Sequence, residues 1–128
     1  MKLIIPIAGR GKRVRPHSYS NPKPFLHVAG KYVIDYILKP FLLLNPEEII
    51  IIHDRYTEES VKENLPKLYP NIKFKFAMQN NPLGTAHAIY QAKEFIKPKD
   101  DILIVYADEI LLDDITNLYE LVNGYDGI

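Results

Sequence analysis

Lys2-Leu3-Ile4-Ile5-Pro6-Ile7-Ala8-Gly9-Arg10-Gly11-Lys12-Arg13 is the stretch on which the fold class turns. The apolar run Lys2–Ala8 ends at a glycine, as buried parallel strands do. Residues 9–24 then lose all apolar periodicity and carry Gly9, Gly11, Pro16, Pro22 and Pro24, which predicts a long loop. Loops of that length within a compact domain are usually functional.

Working outward, Val33, Ile34, Ile37, Leu38, Phe41 and Leu42 recur at helical spacing, with Pro40 expected to kink or end the helix. Glu48–Ile52 reads as a second apolar strand, and Thr57 as the N-cap of a helix running toward Leu65. Lys73–Ala77 reads as a third strand and Ala86–Ile96 as a helix stopped by Pro98. Ile102–Tyr106 reads as a fourth, buried strand. Asp113 or Asp114 is expected to cap a last helix ending near Asn123-Gly124. Strand and helix alternate throughout, so the class is α/β: a Rossmann-like, mainly parallel sheet with helices on both faces. Ligands of such sheets sit beyond the carboxyl ends of the strands. The three loops expected there begin at Gly9, Met78 and Ala107, and every chemically suggestive motif falls in one of them.

The chain has 128 residues, enough for one domain, and 47% are hydrophobic, enough to bury a core. No apolar run approaches the ~20 residues of a membrane span, and no secretory leader is legible at the N-terminus. The absence of cysteine removes disulfides and thiolate zinc sites, which is compatible with a cytoplasmic protein. Residues 1–34 hold seven Lys/Arg and no acid, whereas the rest holds nine Lys/Arg against sixteen Asp/Glu. Basic residues gathered around glycines after a strand point to a polyanionic ligand, and the zero total charge argues against a nucleic-acid binder.

Three motifs carry the chemistry. Gly9 and Gly11, set among Arg10, Lys12, Arg13 and Arg15, let the backbone approach phosphates, although the spacing is neither a dinucleotide fingerprint nor a P-loop. Pro22-Lys23-Pro24 follows. In Gln79-Asn80-Asn81-Pro82-Leu83-Gly84-Thr85-Ala86-His87, the Gln79 amide offers a donor and an acceptor that can pair with N3–H and a carbonyl of uracil or thymine. Gly84 leaves room for a flat base or ribose, and Asn81-Pro82 makes a turn into a helix N-terminus. The plainer reading of His87 is a packed or surface helix residue. Asp108 closes an apolar strand, where a carboxylate is well placed to hold Mg²⁺ on a nucleotide's phosphates.

The order Ala8-Gly9-x-Gly11-x-Arg13, Pro22-Lys23-Pro24-Phe25-Leu26, Gln79, Leu83-Gly84-Thr85-Ala86 and Asp108 resembles the sugar-1-phosphate nucleotidyltransferases, above all the uridylyl- and thymidylyltransferases. The resemblance implies the nucleotide-diphospho-sugar transferase fold and transfer of a nucleotidyl group from UTP or dTTP to a sugar 1-phosphate. It implies nucleotide contacts from Ala8, Gly9, Gly11, Gln79, Gly84 and Thr85. It further implies that Arg13 binds the triphosphate, Lys23 the α-phosphate, and Asp108 the Mg²⁺. Two positions depart from the family pattern. Lys12 stands where a threonine is usual, and Ala107 precedes Asp108 where glycine is usual.

The family's catalytic domain continues well past residue 128, with a second metal-binding Asp and most of the sugar contacts. Residues 1–128 are therefore expected to be its nucleotide-binding half, to self-associate through an uncovered strand, and to turn over poorly alone. The alternative is a binding module that holds a nucleotide or nucleotide-sugar without catalysis. A NAD-binding domain is disfavoured because the second strand ends at His53, with Asp54 just beyond as its only acidic candidate.

Overall fold

The computed structural model describes residues 1–8, 22–112 and 115–117. Strands and α-helices follow one another there in the order β1 (Lys2–Pro6), β2 (His27–Val28), β3 (Lys31–Tyr32), α1 (Val33–Leu42), β4 (Glu48–His53), α2 (Glu58–Leu68), β5 (Phe74–Met78), α3 (Thr85–Tyr90) and β6 (Ile102–Ile104). Short 3₁₀ turns occupy Lys23–Phe25 and Gln91–Phe95. The main sheet has order β5-β4-β1-β6 and every pairing in it is parallel. All four carboxyl ends therefore open on one side. No helix among the described residues is long and apolar enough to cross a membrane.

Strand alternation divides the core. Leu3, Ile5, Ile49 and Ile51 face α1 and α2, which contribute Ile34, Ile37, Leu38, Phe41, Val61 and Leu65. Ile4, Ile50, Ile52 and Ala77 face Ala88 of α3 and Ala92 of the following 3₁₀ turn. Helices thus cover both faces, as the α/β reading requires. Burying an aliphatic side chain of this size contributes roughly 1.5–3 kcal/mol, and the central isoleucines of β1 and β4 are essentially inaccessible.

Several boundaries differ from the sequence reading. Pro40 does not end α1, which runs to Leu42. Pro40 lies so near the helix end that its missing N–H removes only one bond, while Phe41 keeps the last turn against the core. Thr57 occupies the N-cap position of α2 but makes no side-chain cap bond. Its hydroxyl turns back to Asp54, whose Oδ1 accepts from the Tyr56 amide, the Thr57 amide and the Thr57 hydroxyl at 2.9, 2.9 and 3.0 Å. The helix expected over Ala86–Ile96 is α-helical only to Tyr90 and tightens to 3₁₀ through Phe95. The third strand lies one residue later than expected, because its register is set by β4 through Ile49↔Phe74 to His53↔Met78.

The strand at Ile102 is not the buried strand expected. It is short and at the sheet edge, with Ile102, Ile104 and Tyr106 about 40% exposed. The hairpin His27–Tyr32 escaped the sequence reading. Its two-residue loop, Ala29-Gly30, has φ of +48° and +79°, the mirror-image turn that matches strand twist. The last expected helix lies mostly outside the described residues, although Ile115 is buried in the core.

Candidate functional site at the carboxyl ends of the strands

Ala8 stands just past β1, where its amide donates to Ile52 O at 3.2 Å, so the exit of β1 is tied to the exit of β4. Gln79 follows β5 directly, and its amide donates to His53 O at 2.8 Å. Asp108 lies in an exposed turn two residues beyond Tyr106. Ala8 and Gln79 are thus tied to consecutive residues at the end of β4, and Asp108 follows β6 on the same, carboxyl side of the parallel sheet, the side where ligands of this architecture bind.

The Gln79 side chain is 94% buried, its residue being only 6% exposed. Its Nε2 donates to Gly84 O at 3.2 Å and lies 3.2 Å from His87 Nδ1. Gly84 O can only accept, which fixes the nitrogen of the amide on that side. The contact with His87 has no fixed direction, because it depends on which ring nitrogen carries the proton, and no described residue donates to Oε1. Gly84 has φ +102°, a conformation that disfavours any side chain, although a Cβ there would meet nothing within 4 Å. Thr85 is exposed at the first position of α3, and Asn81 O accepts from the Leu83 amide at 2.9 Å in the expected turn.

Lys23 opens the 3₁₀ turn Lys23–Phe25, in which Pro24 and Phe25 are buried. Phe25 packs edge-on against Tyr32 with centroids 5.9 Å apart, and the Val33 amide donates to Leu26 O at 3.0 Å. The turn is thereby anchored to the start of α1 while Lys23 stays half-exposed. Gly9, Gly11 and Arg13 lie outside the described residues.

Asp108 supplies a single carboxylate, and no group of three or more His, Asp or Glu side chains forms a metal cluster among the described residues. One carboxylate fits a Mg²⁺ ion, which keeps waters and binds chiefly through substrate phosphates. It does not fit an all-protein cage.

Two other charges have roles the sequence reading did not foresee. Lys2, counted there among the basic residues of the first segment, sits at the opposite end of the sheet. Its buried ammonium donates to Phe95 O at 2.6 Å and pairs with Asp100 at 2.8 Å and Glu48 at 3.4 Å. The Asp54 carboxylate is engaged by loop amides and so is poorly placed to read a dinucleotide ribose.

A model of the nucleotidyl transferase family matches residues 2–126. The chain belongs to the nucleotidyl transferase family. This nucleotidyl transferase chain is 34% identical over 124 residues to the bifunctional protein GlmU of Methanococcus maripaludis strain C5, covering 97% of the chain and 28% of that relative. It is 31% identical over 127 residues to the low-salt glycan biosynthesis nucleotidyltransferase Agl11 of Haloferax volcanii, covering 98% of the chain and 35% of the relative. Among solved structures, it superposes on a Bacillus anthracis protein assigned as a glucose-1-phosphate thymidylyltransferase with TM-score 0.83 and 24% identity. That match covers 98% of the chain and 51% of the neighbour. A UTP-bound UGPase from Acinetobacter baumannii gives TM-score 0.78 at 22% identity, over 97% of the chain and 53% of the neighbour. The chain thus spans about a third or less of these curated relatives and about half of the solved neighbours. The nucleotide-diphospho-sugar transferase fold expected from the motifs is the fold observed.

Proposed function

We propose that residues 1–128 form the nucleotide-binding half of a sugar-1-phosphate nucleotidyltransferase that uses UTP or dTTP. The observation that carries this reading is the buried Gln79 amide beside Gly84. Its Oε1, to which no described residue donates, suits the N3–H of uracil or thymine. Family membership and the names of the solved neighbours, one of them UTP-bound, point the same way.

In the proposed reaction a phosphate oxygen of the sugar 1-phosphate attacks the NTP α-phosphorus in line. That P–O bond forms as the bond from the α-phosphorus to the bridging oxygen breaks, and pyrophosphate leaves. The chain's work is positioning and charge compensation, as in other phosphoryl transfers. Ala8, Gly9, Gly11, Gln79, Gly84 and Thr85 hold the nucleotide, Arg13 binds the triphosphate and Lys23 the α-phosphate. Mg²⁺ held by Asp108 would offset phosphate charge. A two-fold dimer through the exposed edge of β6 and a cytoplasmic location complete the proposal.

The test is pyrophosphate release by the full gene product with each NTP and a panel of sugar 1-phosphates. Release that depends on both a sugar 1-phosphate and UTP or dTTP is expected. Nucleotide binding without release would instead favour a non-catalytic binding module.

A further inference from the structure

His87 has no part in the reading above, yet it touches the side chain on which that reading depends. Its Nδ1 lies 3.2 Å from Gln79 Nε2, and its Nε2 lies 3.3 Å from Gln91 Nε2. Both amides are fixed by carbonyls that can only accept. Gly84 O faces Gln79 Nε2 at 3.2 Å, and His87 O faces Gln91 Nε2 at 2.9 Å. The imidazole therefore stands between two donors. A neutral ring has one accepting nitrogen, so it can satisfy one of them at a time.

The burial of the two amides decides between them. Gln79 is nine-tenths buried, whereas Gln91 is only partly buried and already bonded to His87 O. An unmet donor costs more at the buried site. The ring therefore accepts at Nδ1 and carries its proton on Nε2.

We infer that His87 is a positioning residue for base recognition: by accepting from Gln79 at Nδ1 it consumes the second amide hydrogen, so that Gln79 shows a base its Oε1 acceptor alone. This inference rests on the proposal that Gln79 reads the base. An acceptor-only Gln79 favours uracil or thymine, whose N3 carries hydrogen, over cytosine, whose N3 is itself an acceptor. Without His87, the amide regains a free hydrogen, so a cytosine N3 finds a donor. Gln91 competes for the same ring, so removing its amide should leave the uracil preference intact.

The test is calorimetric titration of the chain with Mg·UTP and Mg·CTP, using native protein, Gln79→Ala, His87→Ala, His87→Asn and Gln91→Met. Thermal unfolding serves as a check that each variant folds. The native chain should favour UTP, and His87→Ala should reduce the UTP/CTP ratio by about tenfold, the scale of one hydrogen bond at a buried group. His87→Asn, whose side-chain oxygen can replace Nδ1 as acceptor, should restore most of the ratio, and Gln91→Met should keep it. A role confined to packing would lower affinity for both nucleotides equally and would not be rescued by asparagine. If Gln79→Ala loses the preference while His87→Ala keeps it, the positioning role is overturned and base reading by Gln79 survives. If Gln79→Ala keeps the preference, or the native chain shows none, base reading itself fails and the inference falls with it.

Discussion

Lys23 begins a turn whose next two residues are buried, so its backbone is held by packing while its ammonium remains available. Replacing it with alanine should change unfolding free energy by less than ~0.5 kcal/mol, as for an ordinary surface lysine. Turnover of the full gene product should fall far more than that. Near-normal pyrophosphate release by Lys23→Ala would remove Lys23 from the phosphate site. Position 29 offers a contrasting case in which only stability should move. Ala29 holds φ +48° in the β2–β3 turn, a region that costs a residue with a Cβ roughly 1 kcal/mol. Asparagine tolerates it better, so Ala29→Asn should raise stability by about 0.5–1 kcal/mol in denaturant titration. An unchanged midpoint would mean that the turn relaxes without strain.

At the scale of elements, the amino ends of β1 and β4 and the approach to β6 are joined by Lys2, which pairs with Glu48 and Asp100. Hydrogen bonding to Asp100 first, then to Glu48, raises the Lys2 ammonium above its ordinary value despite burial. Lys73 and Lys2 lower Glu48, and Lys2 with the Lys97 amide lowers Asp100. Depressed carboxylates stabilise the fold above their unfolded values and lose that contribution as pH falls through their folded ones. A raised lysine stabilises below its unfolded value and loses its contribution only as pH rises through its folded one. The cluster's contribution is thus constant from about pH 5 to about pH 10 and declines on either side. Lys2→Met should melt several degrees lower than native protein at pH 7, and the gap should narrow by pH 3. A gap independent of pH would show that the lysine stem, and not its charge, is what β1 needs. A phenol–carboxylate contact ties α1 to the end of α2: Tyr69 donates to Asp35, and burial and that carboxylate push the phenol well above its usual range.

For the whole molecule, β6 is the edge of the sheet among the described residues, with Ile102, Ile104 and Tyr106 each about 40% exposed. An exposed apolar edge is a template for association, and a net charge of zero supplies no long-range repulsion against it. The expected product is a two-fold dimer seen by light scattering, dispersed by Ile104→Lys with little loss of folding. A native chain that stays monomeric at all concentrations would overturn that expectation.

Apolar runs closed by glycine, helical spacing between them and the order of short motifs are local properties of the chain, and they sufficed for the α/β class and the family. Which donor meets which acceptor depends on segments that only folding brings together. Lys2 looked like one more cation beside a basic loop until Asp100 and Glu48 closed around it at the far end of the sheet. That the Gln79 nitrogen lies against Gly84 O and 3.2 Å from the His87 ring depends on how the start of α3 packs, and no local pattern shows it. The strand at Ile102 looked buried because its composition matches that of β1. Burial is decided by what packs on each face, and α3 covers Ile4 and Ile50 but leaves Ile102 and Ile104 in contact with solvent.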